Sequence, residues 1–181
     1  LRDLRNGIAG GELRLGYQPK VALCGTASPH VEALLRWRHP MRGDIPPGDF
    51  IPFAEETGFV REITGWALGS ALSQLAAWDA AGYLVQAAVN VSPLDLLHPF
   101  FVERLRETAS ATGGRLSQLR LEITEGAVMR DPARAVEVMR ALRGLGVTFA
   151  IDDFGVGYSS FSQLRHLPVD ELKIDRSFVV A

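Results

Sequence analysis

The sequence contains a single cysteine, Cys24, among its 181 residues. One thiol cannot form an intramolecular disulfide, which is the situation that a reducing cytoplasm favours. No signature of an activated thiol surrounds Cys24, so we expect it to lie near a loop without a catalytic role.

The chain also lacks an excess of positive charge. Its formal net charge is -2 and its pI is about 6.1. A protein that binds along DNA usually carries a basic surface, so DNA is not an expected partner. A small anionic ligand is still compatible with this balance, because a few local Arg, Lys or metal ions can hold one.

Long hydrophobic runs are absent. No apolar segment reaches the roughly 20 residues that a transmembrane helix needs. The first residues, Leu1 to Asn6, are too charged for a signal peptide. We therefore expect no membrane contact within this chain and a cytoplasmic location.

Short apolar runs alternate with longer amphipathic stretches, which predicts β/α units around a largely parallel sheet in one domain. The predicted strands are Leu13–Leu23 (broken by Pro19), Val31–Trp37, Val85–Val91, Leu119–Ile123, Val147–Ile151 and Glu171–Ile174. The predicted helices are a short one capped by Asp49 and ending near Glu56, then Val60–Ala81 before Gly82, Pro99–Thr112, one from the Asp131 cap to about Arg143, and Ser159–Leu167.

Six strands in this length predict an unfinished TIM-like (β/α)8 barrel, because eight units typically need about 250 residues. An open doubly wound sheet is the alternative architecture. No Gly-rich dinucleotide fingerprint follows any predicted strand, which weakens that alternative.

Polar side chains interrupt the apolar runs late in the predicted strands or just beyond them. In a parallel barrel these ends meet at one face, so residues distant in sequence would converge there. Carboxylate and amide oxygens suit hard cations such as Mg²⁺ or Mn²⁺, whereas the four histidines include no ligand-like pair for zinc. The residues are Glu32, Asn90, Glu122, Asp152, Asp153 and Lys173.

Asp152 and Asp153 follow an apolar strand directly. Adjacent strand side chains point to opposite faces, so both can reach one metal site only if the backbone turns, which Gly155 and Gly157 permit. The alternative is an acidic turn that caps the next helix. The other polar strand ends favour a site.

The remaining candidates also have structural alternatives. Lys173 could orient a water or stabilise phosphoryl charge, and the structural alternative is an exposed edge position. Glu122 needs a partner or a metal if it is buried. Asn90 could instead cap the following turn, and Arg36 could contact either a phosphate or a surface carboxylate.

These residues belong to a series of motifs that resembles the EAL domain family from near Leu4 to the last residues. The motifs, in order, are Tyr17-Gln18-Pro19, Glu32-Ala33-Leu34-Leu35-Arg36-Trp37, Phe50-Ile51-Pro52, Val89-Asn90-Val91-Ser92, Leu121-Glu122-Ile123-Thr124-Glu125, Asp152-Asp153-Phe154-Gly155, Gly157-Tyr158-Ser159-Ser160, Leu167-Pro168-Val169-Asp170 and Lys173-Ile174-Asp175.

The resemblance implies an eight-unit barrel whose first strand is antiparallel, and hydrolysis of cyclic di-GMP to linear pGpG with two Mg²⁺ or Mn²⁺ ions. By motif position, Asp153 would assist the second metal or the water, Lys173 would hold the water, and Glu125 would support the loop that begins at Asp153. Gln18 and Arg36 would contact the ligand. The metal ligands would be Glu32, Asn90, Glu122 and Asp152.

The sequence departs from the family pattern at two places. Val156 stands where the family usually has Thr, in a loop that links metal binding to dimer contacts. The chain ends at Ala181, before the family's Glu-Gly-Val-Glu strand, so residues 1–181 are expected to be an EAL domain truncated before its last units.

Three functions therefore stay open at this point: an active phosphodiesterase, a catalytically silent cyclic di-GMP receptor, and an inactive fragment. EAL domains often pair as homodimers and often follow sensory or GGDEF domains, and the resemblance implies both partners here.

Overall fold

The computed structural model describes residues 2–23, 29–155 and 167–178. Within these ranges the chain alternates strands and helices along most of its length. The strands are β1 (Leu13–Lys20), β2 (His30–His39), β3 (Gly43–Ile45), β4 (Gln86–Asn90), β5 (Leu119–Thr124), β6 (Thr148–Phe154) and β7 (Glu171–Ile174). The helices are α1 (Arg2–Ala9), α2 (Pro47–Glu56), α3 (Val60–Ala80), α4 (Pro93–Leu96), α5 (Phe101–Thr112), α6 (Glu125–Arg130) and α7 (Pro132–Gly144).

One mixed sheet organises the molecule in the order β1-β2-β4-β5-β6-β7, with β3 on β2. β1 is antiparallel to β2, whereas the pairs from β2 and β4 through β6 and β7 are parallel. The Lys20 Nζ atom on β1 lies 3.1 Å from Oε1 of Glu171 on β7, although these strands lie at opposite ends of the order. The sheet therefore curls into the wall of a TIM-like barrel with an antiparallel first strand, as predicted.

The apolar core lies between the outer face of this wall and the helices. The larger cluster joins β4, β5 and β6 to α3, α5 and α7, and includes Leu72, Leu105, Leu121, Leu142 and Phe149. A smaller cluster packs α1, α2 and the start of α3 around Trp37 and Phe50. Burial of apolar side chains on one face only leaves the other face of each strand free for polar groups.

Two expectations for the strands were wrong. Strand β1 ends at Lys20 instead of Leu23, and Pro19 does not break it, because Pro19 pairs in register with Val31. Within the described residues β1 pairs only with β2, and proline is tolerated on such an edge strand. Strand β3, between β2 and α2, was not among the predicted strands.

Several helix boundaries also differ from the predictions. Helix α2 begins at Pro47 after Pro46, so Asp49 lies in its first turn and is not its cap. Helices α1, α4 and α6 were not predicted, because they are short or lack a clear apolar period. The Asp131 cap is confirmed, since its side chain accepts a hydrogen bond from the Arg134 N–H. Gly82, with φ of 85°, ends α3 as expected.

Some predictions fall on parts of the chain outside the described residues. They are the Cys24 loop, the Val156 departure and most of the predicted helix Ser159–Leu167. Among the described helices, none has the combination of length and apolar character that would let it cross a bilayer.

Candidate functional site

Side chains alternate along the strands, so apolar residues face the helices and polar residues face the interior of the curled sheet. On β5, Leu119, Leu121 and Ile123 are buried in the core under the helices. Glu122, between Leu121 and Ile123, points to the opposite side, where it meets Lys20 and Lys173. The interior of the curled sheet is therefore lined by charged groups.

Lys173 lies at the centre of this interior. Its Nζ atom is 2.7 Å from Glu122 Oε2, 3.2 Å from Asp152 Oδ2 and 3.3 Å from Glu32 Oε2. The four residues come from four different strands, so the curl of the sheet gathers carboxylates that lie far apart in sequence. The alternative of an exposed edge lysine is wrong, because the ammonium group points inward.

Asn90 completes the predicted ligand set. It pairs in register with Glu122, and its Nδ2 atom lies 3.5 Å from Glu32 Oε1. The helix that follows β4 is capped by Ser92, whose Oγ accepts a hydrogen bond from the Leu94 N–H. Asn90 is therefore free of the capping role that the sequence left open.

The rule that the candidates stand late in their strands fails for Glu32, which is the third residue of β2. Strand β2 pairs with β4 only as far as Ala33 and then continues to His39 beside β1 and β3. Glu32 is thus close to the end of the parallel region, which is why it still reaches the shared edge.

The backbone turns at Asp153, as the Asp-Asp pair required. Asp153 has a φ of 53°, a left-handed conformation that Asp tolerates better than most residues, and its N–H donates a hydrogen bond to Asp152 Oδ1 at 3.0 Å. The pairing of β6 with β7 shifts register between Ile151 and Phe154. Asp152 consequently faces Lys173, while Asp153 is exposed next to it.

Glu125 supports the segment that follows Asp153. It is buried at the start of α6, and its Oε2 atom accepts a hydrogen bond from the Gly155 N–H at 3.4 Å. Gly155 has a φ of 102°, which strongly favours glycine. The structure thus places Glu125 at this loop. Among the residues that the structure describes, no hydrogen bond joins Glu125 to the carboxylate cluster.

Gln18 and Arg36 lie on the rim. Gln18 is opposite Glu32 in the β1–β2 register, and Arg36 lies four residues beyond Glu32 on the same face of β2. Both are exposed, and Arg36 Nη1 donates a hydrogen bond to the Leu35 carbonyl. Arg14, which the sequence interpretation missed, is directly opposite Arg36. Like charges in this position repel each other, so the pair makes a rim suited to an anion.

Burial and neighbouring charges shift the pKa values of the two central groups, Glu122 and Lys173. Burial raises the pKa of Glu122, and the hydrogen bonds from Lys173 and Lys20 only partly offset this. Burial alone would lower the pKa of Lys173, but the hydrogen bond and charge of Glu122, with the charges of Asp152 and Glu32, raise it. Lys173 therefore keeps its proton at neutral pH.

Two further carboxylates have shifted pKa values in opposite directions. The pKa of Asp153 is raised by burial and by the negative charges of Asp152 and Asp175. Burial would also raise the pKa of Glu171, but the hydrogen bond and charge of Lys20, together with Arg120 and Lys173, lower it.

Sequence interpretation also missed a group of charged residues that lies below the cluster, that is, nearer the amino ends of the parallel strands. Lys20, Arg120 and Glu171 all point into the barrel and are linked by salt bridges. The only signal for them is parity: Arg120 is two residues before Glu122, and Glu171 is two residues before Lys173. Alternation alone would have placed them on the same face.

The EAL domain family matches residues 1–181 of the chain. The chain belongs to the EAL domain family. This chain is 46% identical, over 98% of its length, to an uncharacterized signaling protein of Caulobacter vibrioides. It is 42% identical to the bifunctional diguanylate cyclase/cyclic di-GMP phosphodiesterase MucR of Pseudomonas aeruginosa, over 99% of its length. These matches cover 22% and 26% of the relatives, so the EAL domain spans about a quarter of their length.

Solved structures match the EAL domain closely. The MucR phosphodiesterase in complex with c-di-GMP has a TM-score of 0.92 and 43% identity, covering 98% of this chain and 72% of that one. The FimX EAL domain of Pseudomonas aeruginosa, bound to c-di-GMP, has a TM-score of 0.89 and 27% identity, covering 99% of this chain and 72% of that one. The α/β barrel fold is thereby confirmed.

The residues of the cluster fit a hard divalent cation by the chemistry of their donors. Three carboxylates contact the ammonium group of Lys173, and the Asn90 amide lies beside one of them, that of Glu32. No group of three or more His, Cys, Asp or Glu side chains in the described ranges could hold a metal ion as it stands. The side chains would therefore have to rearrange, with Lys173 giving up carboxylate contacts to the cation.

Proposed function

We propose that this EAL domain hydrolyses cyclic di-GMP to linear pGpG in bacterial second-messenger signalling, with Mg²⁺ or Mn²⁺ in a two-metal site. The observation that carries the proposal is the meeting of Glu32, Glu122 and Asp152 at Lys173, with Asn90 beside Glu32. The proposal is supported by MucR and by NbdA, a relative with 38% identity that is named a cyclic di-GMP phosphodiesterase.

In this proposal the metal ligands are Glu32, Asn90, Glu122 and Asp152, and Asp153 contributes to the second ion or to the water. Two bound cations would clamp the phosphodiester and lower the pKa of the attacking water. Hard cations prefer oxygen donors of this kind.

The other side chains position the reactants. Lys173 donates a hydrogen bond to the attacking water and holds it in place. Glu125 holds the loop after Asp153 through the Gly155 N–H. Gln18 and Arg36 bind the ligand from the rim, where a guanidinium group can make two parallel hydrogen bonds to a phosphate.

Several wider properties belong to the same proposal. We propose that the protein is cytoplasmic and homodimeric, and that the EAL domain is joined to sensory or GGDEF domains, which fits the bifunctional name of MucR and the small share of each relative that the chain spans. We also propose that the domain continues past Ala181, where the family carries its Glu-Gly-Val-Glu motif, so assays should use the full-length protein.

The experiment is turnover of cyclic di-GMP by the purified full-length protein, with pGpG measured by chromatography. Turnover with Mn²⁺ or Mg²⁺ that stops when EDTA is added is expected. Tight binding of cyclic di-GMP without pGpG formation would instead identify a silent receptor. Absence of both would contradict the proposal and its alternative.

A further inference from the structure

A charged layer lies directly beneath the candidate metal ligands and has no role in the proposed chemistry. It consists of Lys20 on β1, Arg120 on β5 and Glu171 on β7. Lys20 Nζ lies 2.8 Å from Glu122 Oε1 and 3.1 Å from Glu171 Oε1, and Arg120 also bonds to Glu171. Arg120 Nε is in turn 3.2 Å from Thr148 Oγ1. The layer is thus a continuous network of side chains from β1, β5, β6 and β7.

Two lysines divide the carboxylate of Glu122 between them. Lys20 takes Oε1 and Lys173 takes Oε2, and the Glu122 side chain is fully buried. Oε2 is therefore the oxygen that faces Lys173 and, through it, Asp152 and Glu32, whereas Oε1 faces Lys20. The orientation of Glu122 is therefore fixed from below.

The two lysines differ in what else they contact. The carboxylates around Lys173 all belong to the proposed ligand set, so a cation that enters the site competes with Lys173 for its partners. Lys20 instead has Glu171 as its second partner, and Arg120 holds Glu171 in place. Lys20 can therefore stay on Glu122 while Lys173 yields.

We propose that Lys20 is a positioning residue that holds Oε1 of Glu122 so that Oε2 is presented to a divalent cation. This inference rests on the proposed function, because it assumes that Glu122 is a metal ligand. Groups that orient metal ligands from behind typically change metal affinity by about 10–100-fold when they are removed. A purely structural salt bridge would change the stability of the fold but not the affinity for the ion.

The test is the affinity of the full-length protein for Mn²⁺, measured without substrate from the electron paramagnetic resonance signal of free Mn²⁺. Lys20→Met removes the ammonium, and Lys20→Arg keeps a cationic donor at the same position. Arg143→Met is the matched control, because it breaks another salt bridge on the barrel, to Asp170, that is not linked to Glu122 by any described contact.

We expect Lys20→Met to weaken Mn²⁺ binding by about 10–100-fold. The Lys20→Arg variant should keep most of the affinity of the unaltered protein, and Arg143→Met should bind Mn²⁺ like the unaltered protein. Should Lys20→Met fold poorly, Glu171→Gln loosens the anchor of Lys20 and should weaken binding in the same direction by a smaller factor. Unfolding curves of all variants separate affinity from stability.

Two results would overturn the inference, and they are distinguishable. If the unaltered protein binds Mn²⁺ and the folded Lys20→Met variant binds it equally well or more tightly, only the role of Lys20 is wrong. If the unaltered protein binds no Mn²⁺, the proposed metal-dependent function fails together with this inference.

Discussion

The two faces of the same strands differ in this molecule: the outward face packs against the helices, and the inward face carries the charged residues of the candidate site. On β5, Leu121 and Ile123 are completely buried against the helices, whereas Glu122 between them is held by two lysines inside the barrel. On β6, Ile151 is packed in the core, and its neighbour Asp152 faces Lys173. Changes on the outward face should therefore alter stability, and changes on the inward face should alter chemistry.

The sharpest way to test this division is Asp152→Asn. The substitution keeps the shape of the side chain but removes the charge that the proposed metal site needs, so turnover of cyclic di-GMP should fall by orders of magnitude. The unfolding temperature should stay near that of the unaltered protein, and Glu32→Ala should act similarly. The assay is pGpG formation with saturating Mn²⁺.

Glu137→Gln is the control for Asp152→Asn, because Glu137 is an exposed carboxylate on α7 whose salt bridge is with Arg134. It should leave turnover unchanged. Near-normal activity of Asp152→Asn would show that the metal assignment is wrong.

Rim residues are expected to have an intermediate effect. Arg36→Ala should raise the KM for cyclic di-GMP by about 10–100-fold, because hydrogen bonds to charged groups contribute about 1.5–3 kcal/mol. The kcat should change much less, since Arg36 is exposed on the rim and is not among the contacts of Lys173. Arg140→Ala, on the exposed side of α7, provides the control. A fall in kcat at unchanged KM would argue against a role in ligand binding.

Leu142→Ala tests the outward face. Leu142 is completely buried in the larger core cluster, and its truncation should lower the free energy of unfolding by about 2–5 kcal/mol. Activity per folded molecule should stay close to normal. Urea unfolding measures the first quantity, and turnover corrected for the folded fraction measures the second. A specific loss of activity at full stability would break the proposed division between the faces.

The smallest effect is expected at Asp95, a buried carboxylate on α4. Burial raises its pKa, and the hydrogen bond to Thr64 and the charges of Arg104, Arg61 and His98 offset this only in part. Between the ordinary pKa and the raised one, the folded state keeps a proton that the unfolded state has lost. Stability contributed by this group therefore falls as pH rises through that window.

Asp95→Asn should remove this pH dependence and should stabilise the protein slightly at neutral pH, by less than Leu142→Ala destabilises it. Unfolding curves between pH 4 and pH 8 would show the difference, with exposed Asp44→Asn as the control. An unchanged slope against pH would mean that Asp95 does not titrate differently in the folded state.

Local sequence patterns predicted the parts of this fold that depend on local chemistry. The β/α alternation, the Asp131 cap and the stop at Gly82 follow from apolar period and backbone preferences, and the structure confirms them. Strand β3 escaped prediction because it is only three residues long. The loss of Asp49 as a cap reflects a helix that starts three residues earlier than predicted, at Pro47.

The candidate site was predictable in its members but not in its contacts. Strand alternation and motif positions selected Glu32, Asn90, Glu122 and Asp152, while the curl that lets a side chain on β1 reach one on β7 depends on long-range packing. For that reason the contacts of Lys20 with Glu122 and Glu171 could not be foreseen. The inward parity of Lys20 was visible, but its partners were not.

The most direct test of the account is an anomalous-scattering map of crystals of the full-length protein grown with Mn²⁺. We predict a manganese peak within about 2.0–2.6 Å of oxygens from Glu32, Asn90, Glu122 and Asp152, with Lys173 drawn away from at least one carboxylate. A peak elsewhere, or no peak with Lys173 still on its three carboxylates, would contradict the claim that this interior holds divalent cations.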